Sequence, residues 1–152
     1  MNIYYYDTII GKVGIAEKDD QITNVFFGND DAADNIKVSE TKLLKEAAKQ
    51  LNSYLAGNLK TFDLPLKPSG TPFMKDVWRC LMTIPYGQTC SYKDIAEKIE
   101  KEKAYRAVGQ ANNRNPIPIF IPCHRVIGAK GELTGYRGGL AIKEKLLELE
   151  KA

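Results

Sequence analysis

Ser91-Tyr92-Lys93-Asp94-Ile95-Ala96-Glu97-Lys98-Ile99-Glu100-Lys101-Glu102-Lys103-Ala104-Tyr105-Arg106-Ala107-Val108-Gly109-Gln110-Ala111-Asn112-Asn113 is the stretch whose reading decides the fold. Ser91 with Asp94 three residues on resembles a capping box with Asp in place of Glu, and it opens a short helix with Ile95, Ala96 and Ile99 inward. The charged link 100–103 follows, and residues 104–113 form a second short helix with Ala104, Val108 and Ala111 on one side. Two short helices joined tightly, each with small residues on its inner face, match a helix-turn-helix, although any αα-hairpin shares the pattern. Arg106, Gln110 and Asn113 fall on the outer face, where a DNA-contacting surface would lie. A solvated polar face is the plainer reading of the same residues.

Upstream, Thr71-Pro72 is a helix start, a hydroxyl cap followed by proline at the first helical position, with Phe73, Val77 and Leu81 on one face. Trp78 is expected in the core and 84–87, Ile-Pro-Tyr-Gly, in a turn. The run Lys67-Pro68-Ser69-Gly70 sets a boundary. Before it, residues 3–9, 12–16 and 22–27 are rich in β-branched and aromatic residues and read as three short strands, with breaks at Gly11 and Asp19-Asp20. Residues 29–37 are polar and acidic. Residues 41–56 carry Leu44, Ala47, Ala48, Leu51 and Leu55 at helical spacing and end at Gly57-Asn58; 61–66 suggest one more strand. This half holds no cluster of nucleophile, base and acid. Residues 1–68 are therefore expected to be an α/β scaffold domain, and residues 69–152 a mainly α domain.

The 152 residues, 43% hydrophobic and 27% charged, have the composition of an ordinary globular chain, which sets aside disordered and fibrous classes. No run approaches the roughly 18 apolar residues of a membrane span, and Met1-Asn2-Ile3-Tyr4-Tyr5-Tyr6-Asp7 lacks the pattern of a signal peptide. A cytoplasmic location is expected. Cys80, Cys90 and Cys123 are odd in number and include no Cys-x-x-Cys pair, which argues against a disulfide framework. His124 is the single histidine, and the spacing gives no support to a zinc site. The net charge of +3 divides into −2 over residues 1–68 and +5 over 69–152, and all five arginines lie in the second part. That asymmetry suggests a polyanion partner for the second part, though solvated surface charge explains such a balance as well.

Asn115-Pro116-Ile117-Pro118-Ile119-Phe120-Ile121-Pro122-Cys123-His124-Arg125-Val126-Ile127 is the most unusual segment. Its prolines can neither continue a helix nor pair as a central strand, so an extended, stiff backbone through the interior is expected, delivering Cys123 to a fixed place. Cys80 and Cys90 read as small buried hydrophobes. Cys123 differs in having His124 and Arg125 beside it, cations that favour the thiolate. Near the C-terminus, about 100° per residue puts Glu150 inside the apolar arc of Ile142, Leu146 and Leu149, where a carboxylate needs a partner, and the lone histidine is a natural one. Lys143 shares its azimuth two turns earlier, so an exposed helix end competes with that reading. Cys123, His124 and Glu150 together have the logic of an activated nucleophile, with a water or an unusual turn needed to couple the two sequence neighbours. From residues alone the readings that compete are a nucleophilic cysteine, a non-catalytic helix-turn-helix binding or regulatory protein, and a Cys-His-Glu hydrolase.

Pro122-Cys123-His124-Arg125-Val126 resembles the active-site motif of the methylated-DNA-protein-cysteine methyltransferases, also called O6-alkylguanine-DNA alkyltransferases. Residues 73–81, 84–87, Ser91-Tyr92, 106–109, Asn115-Pro116, 135–140 and 143–150 follow in family order and spacing. The resemblance implies an N-terminal α/β domain of ribonuclease-H-like topology without nuclease function, and a C-terminal winged helix-turn-helix domain that binds DNA through the minor groove. It implies irreversible, single-turnover repair of O6-alkylguanine, with O4-alkylthymine a second candidate, by transfer of the alkyl group to Cys123. His124 and Glu150, with a water, would draw off the thiol proton. Tyr92 would supply a proton at the guanine ring, and Asn115 would brace the active-site loop. Arg106 would fill the gap left by the flipped nucleotide, with Ser91, Gln110 and Asn113 also on the DNA side. Tyr136, Arg137 and Gly138 would bound the pocket, where the carbonyls of Cys123 and Val126 would accept from the guanine amino group. The expected partner is double-stranded DNA carrying alkylated guanine, with no membrane, no obligate protein partner and a monomeric chain. Neither cofactor nor metal is expected, since the cysteines and histidines of the zinc site in some members are lacking. Leu149 departs from the histidine common before the family's final glutamate. A cysteine at 123 separates the chain from members that keep only lesion binding and carry tryptophan there.

Overall fold

Turn chemistry divides the first part of the chain into strands. Asp19 and Asp20 both take positive φ, 52° and 60°, the left-handed geometry whose twist suits a two-residue hairpin. They join β2 (Gly11–Lys18) to β3 (Gln21–Phe27). With β1 (Asn2–Thr8) and the two-residue β4 (Lys37–Val38), these strands form a four-stranded sheet in the order β3-β2-β1-β4, in which β1 pairs antiparallel with β2 and parallel with β4. The computed structural model describes residues 1–28, 30 and 35–151. Most of the polar stretch 29–37, including 29 and 31–34, therefore lies outside the described residues. The chain divides into two compact units, Met1–Pro68 and Ser69–Ala152.

In the first unit Thr41 caps α1 (Lys42–Leu55) by accepting from the Leu44 amide, and Leu44, Ala47, Ala48, Leu51, Tyr54 and Leu55 form its buried face. The helix ends in a Schellman arrangement, Gly57 N–H to Tyr54 O and Asn58 N–H to Ser53 O. Residues 61–66 differ from the expected strand. Only Leu66 bridges to Ile22, through Ile22 N–H to Pro65 O and Lys67 N–H to Ile22 O, because a proline at 65 has no N–H with which to extend a ladder.

In the second unit Thr71 caps α2 (Pro72–Leu81), with Val77, Trp78, Cys80 and Leu81 buried. Trp78 donates its indole N–H to Ala111 O at 2.9 Å, which satisfies an end carbonyl of α4 (Tyr105–Asn113) and the buried indole at once. Ser91 and Asp94 form the full reciprocal capping box of α3 (Tyr92–Lys98). In α4 Val108, Ala111 and Asn112 are buried, while Ala104 serves as the N-cap position without a side-chain bond. Two-residue strands β5 (Cys90–Ser91) and β6 (Val126–Ile127) pair in parallel and lay the start of α3 beside the end of the motif. Helix α5 (Leu140–Lys151) closes the unit, with Lys143, Leu146 and Glu150 buried.

The segment before Cys123 is buried as expected but not extended throughout. Residues 117–121 fold back on themselves, Ile121 N–H to Ile117 O at 2.9 Å, with Ile119 at φ 77°. A β-branched residue rarely adopts that conformation. The Asn115 side chain makes the fold-back workable, since its Oδ1 accepts from Ile117 N and its Nδ2 donates to Ile121 O, each at 2.9 Å. Prolines offer no N–H here, so the side-chain amide of Asn115 donates to Ile121 O and also accepts the Ile117 N–H.

Candidate active site

The residues Cys123–Arg125 form one turn of 3-10 helix, all three buried. His124 and Glu150 meet inside the unit, with imidazole Nε2 2.8 Å from carboxylate Oε2. Arg125 grips the same carboxylate as a fork, Nε to Oε1 at 2.8 Å and Nη2 to Oε2 at 3.0 Å, and turns Nη1 to Ile84 O at 2.8 Å. Arg125 also lies 5.8 Å from the centre of the Tyr86 ring. Gly87 is reached through a Pro85–Gln88 turn that needs its φ of 82°. Its amide points at Glu150 Oε1 from 3.5 Å. The Arg125 guanidinium gives this carboxylate two charge-assisted hydrogen bonds.

Arg125 therefore differs from its expected role as a cation beside the sulfur: its guanidinium is occupied by Glu150. Burial pushes the Cys123 thiol up, so the resting form is the thiol. Opposing that burial are a hydrogen bond from the Asn115 side chain and the charges of Lys143 and Arg137. Burial likewise pushes the His124 imidazole down against the pull of Glu150, with Arg125 and Lys143 adding to the downward side. A neutral imidazole anchored on a carboxylate is a base in waiting for a neighbouring thiol.

Lys143, whose charge on the arc of Glu150 suggests an exposed helix end, is instead fully buried. Its ammonium donates to Val126 O at 2.7 Å and Thr134 O at 3.0 Å. Burial lowers its pKa and the nearby Cys123 raises it. The amide of Asn112 reaches Cys123 O at 3.4 Å. Of the two carbonyls expected to face the guanine amino group, that of Cys123 thus already accepts from the Asn112 amide and the Val126 N–H, and that of Val126 from Lys143.

Tyr92, the first residue of α3, directs its hydroxyl to Thr134 Oγ1. Its ring runs past Gly109 of α4, where an added Cβ would sit 3.7 Å from the ring edge. The loop 134–139 lies nearby: Gly135 faces the Asn113 side chain, Arg137 Nη1 donates to Asn115 O at 3.3 Å, and Gly139 N donates to Tyr136 O. Tyr136 and Gly138 are half-buried. On α4, Arg106, Gln110 and Asn113 are exposed, and Arg106 lies 5.9 Å from the Tyr105 ring. Ser91 is half-buried with its hydroxyl occupied by the cap. The structure thus brings Cys123, His124, Glu150, Asn115 and Val126 around one short turn, links Tyr92 to it through Thr134 and Lys143, and sets Arg106, Gln110 and Asn113 on the outer face of a helix. Asn112, Gly109 and Thr134 belong to the same assembly and have no role in the sequence pattern, and Lys143, whose charge suggests an exposed helix end, belongs to it too; its seven-residue spacing from Glu150 on one apolar arc is the available signal. Cys90 is half-buried on β5 rather than a core residue. Among the described residues no group of three or more His, Cys, Asp or Glu is placed to hold a metal, and no helix is long and apolar enough to cross a membrane.

Comparison with known proteins adds independent observations. Residues 1–68 match the model described as 6-O-methylguanine DNA methyltransferase, ribonuclease-like domain, and residues 72–152 match the DNA binding domain of the same description. The chain is 49% identical over 159 aligned positions to the constitutive methylated-DNA–protein-cysteine methyltransferase of Bacillus subtilis, covering 99% of this chain and 96% of that one. It is 60% identical over 114 positions to the methylated-DNA–protein-cysteine methyltransferase of Methanosarcina barkeri, covering 75% and 72%. Among solved structures, Mycobacterium tuberculosis OGT in complex with DNA superposes with a TM-score of 0.95 at 44% identity, covering 99% of this chain and 93% of that one.

Proposed function

Because the chain belongs to the 6-O-methylguanine DNA methyltransferase family, we propose that Cys123 is the residue onto which it moves the alkyl group from O6 of guanine. The reaction is DNA repair by direct reversal, and the acceptor is consumed, because a thioether has no easy route back to a thiol. The observation that carries the assignment is the buried chain of contacts behind the sulfur: Arg125 fork to Glu150, Glu150 to His124, and His124 adjacent to Cys123 in one 3-10 turn.

In this reading His124 takes the thiol proton, directly or through a water, and Glu150 stabilises the imidazolium that forms. The thiolate then attacks the carbon on O6 in line with the departing oxygen. Asn115 holds the turn that aims the sulfur, and Tyr92 gives a proton to the guanine ring as the C–O bond breaks. A base inside the duplex stack is closed to such an attack, so the nucleotide must be extruded, with Arg106 filling its place and Ser91, Gln110 and Asn113 contacting the strand. Val126, Tyr136, Arg137 and Gly138 bound the pocket. Residues 69–152 are the working domain and 1–68 the scaffold. The partner is double-stranded DNA bearing O6-alkylguanine, and the chain acts as a monomer in the cytoplasm, which its three free cysteines support.

The test is titration of the protein with excess duplex carrying radiolabelled O6-methylguanine. Protein-bound label should plateau at one equivalent and disappear in Cys123→Ser, which should still bind DNA. Label that accumulates past one equivalent, or persists in the serine variant, contradicts the assignment.

A further inference from the structure

Thr134 is held from two directions. Its carbonyl accepts from Lys143 Nζ at 3.0 Å, the same ammonium that holds Val126 O at 2.7 Å, and its hydroxyl meets the Tyr92 phenol. Tyr92 in turn has one ring edge against Gly109, where no side chain intervenes. The phenol is thus fixed between helix α4 and the loop, and its side-chain partner there is a hydroxyl that can give as well as take a hydrogen bond. We propose that Thr134 is a positioning residue for the leaving group, holding the Tyr92 hydroxyl in the free protein and donating to its oxygen while Tyr92 serves the guanine ring.

This rests on the proposed role of Tyr92 and deepens it. At rest the phenol O–H can bond to Thr134. When guanine enters, the phenol proton turns to the ring nitrogen and the Thr134 O–H turns to the phenol oxygen, so two hydrogen bonds run in one direction and reinforce each other. As sulfur bonds to carbon, the C–O6 electron pair passes to guanine and the phenol proton follows it to the ring. The tyrosinate left behind keeps its hydrogen bond from Thr134, which loses no proton. Reprotonation of Tyr92 by way of the His124 imidazolium and solvent leaves a net transfer of one proton from sulfur to guanine. Lys143, by holding the Thr134 carbonyl, fixes the loop so that this hydroxyl is present at the right place.

The experiment uses the full chain in single-turnover transfer from O6-methylguanine duplex, with Thr134→Val and Thr134→Ala to remove the hydroxyl, Thr134→Ser to keep it, and each combined with Tyr92→Phe. A parallel arm measures alkylation of Cys123 by iodoacetamide, whose iodide leaves without a proton. The limiting transfer rate should fall about tenfold in the Val and Ala variants, the worth of one hydrogen bond to a group gaining charge. It should return to within about threefold of the unaltered protein in the Ser variant and fall no further when the hydroxyl is removed from Tyr92→Phe. DNA affinity and the iodoacetamide rate should stay unchanged. An unaltered rate in both hydroxyl-free variants, an equal loss in the Tyr92→Phe background, or a matching loss with iodoacetamide overturns the role of Thr134. Failure of the unaltered chain to take up any methyl group, with Cys123 still reactive to iodoacetamide, counts instead against the parent reading of the site.

Discussion

The Glu150 carboxylate, on a residue 4% exposed, is shared by an imidazole and a guanidinium. Glu150→Gln leaves Arg125 buried without its counter-charge, a change of a kind that costs about 3–5 kcal/mol, and it weakens the anchor of His124. Urea denaturation should show that loss, and the limiting rate of methyl transfer should drop by about a hundredfold, the usual share of a general base. At this scale the motif was readable because Cys123, His124 and Arg125 are contiguous and helical periodicity placed Glu150 among apolar residues. What each cation faces was not readable: adjacency suggested that Arg125 serves the sulfur, whereas the chain reversal at 123–125 turns it to Glu150 and leaves Lys143 and Arg137 to act on Cys123. Lys143 argued for an exposed helix end by its charge alone, yet two backbone carbonyls satisfy it in the interior.

Among elements, α3 matters most because its first residue is Tyr92. Ser91→Ala removes the hydroxyl that accepts from Asp94 N–H and should cost about 1 kcal/mol. It should also slow methyl transfer several-fold and weaken DNA binding by the loss of its contact with the strand, two effects that stopped-flow kinetics and equilibrium binding resolve. Caps and amphipathic faces were legible for α1, α2 and α3, since Thr41, Thr71 and Ser91 sit at the start of clear periodic runs. The fold-back at 117–121 was not. A positive φ at Ile119 carries no residue signature, and the Asn115 side chain, which donates to Ile121 O, replaces a donor that a count of prolines shows only as missing. The two-residue pairing of β5 with β6 is likewise too short for any periodicity to announce.

For the whole molecule, the charge balance makes a prediction about DNA. With +5 concentrated in residues 69–152, affinity for duplex should fall as salt rises, linearly in log–log form. Arg106→Ala should weaken binding and reduce that slope by about one unit if its charge meets a phosphate, or weaken lesion binding alone if it enters the stack. Stability should also respond to pH on two sides. The unfolded chain protonates His124 near its ordinary pKa, about 6.5, while the folded chain, by burial, resists protonation to lower pH, so stability is lost as pH falls below that value. Cys123 works in the other direction. Burial lets the folded thiol keep its proton past the usual range of about 8.5, so its contribution is lost as pH rises above it. Denaturation midpoints of the unaltered protein minus those of Cys123→Ser should isolate that alkaline limb.

Intact mass followed by peptide mapping, before and after incubation with excess O6-methylguanine duplex, bears most directly on the identity of the acceptor. The expected result is a gain of one CH₂ unit per chain, carried entirely by the peptide containing Cys123, while the DNA returns to unmodified guanine. A mass that does not change while the lesion disappears, or a methyl group mapped to Cys80, Cys90 or any other residue, contradicts it.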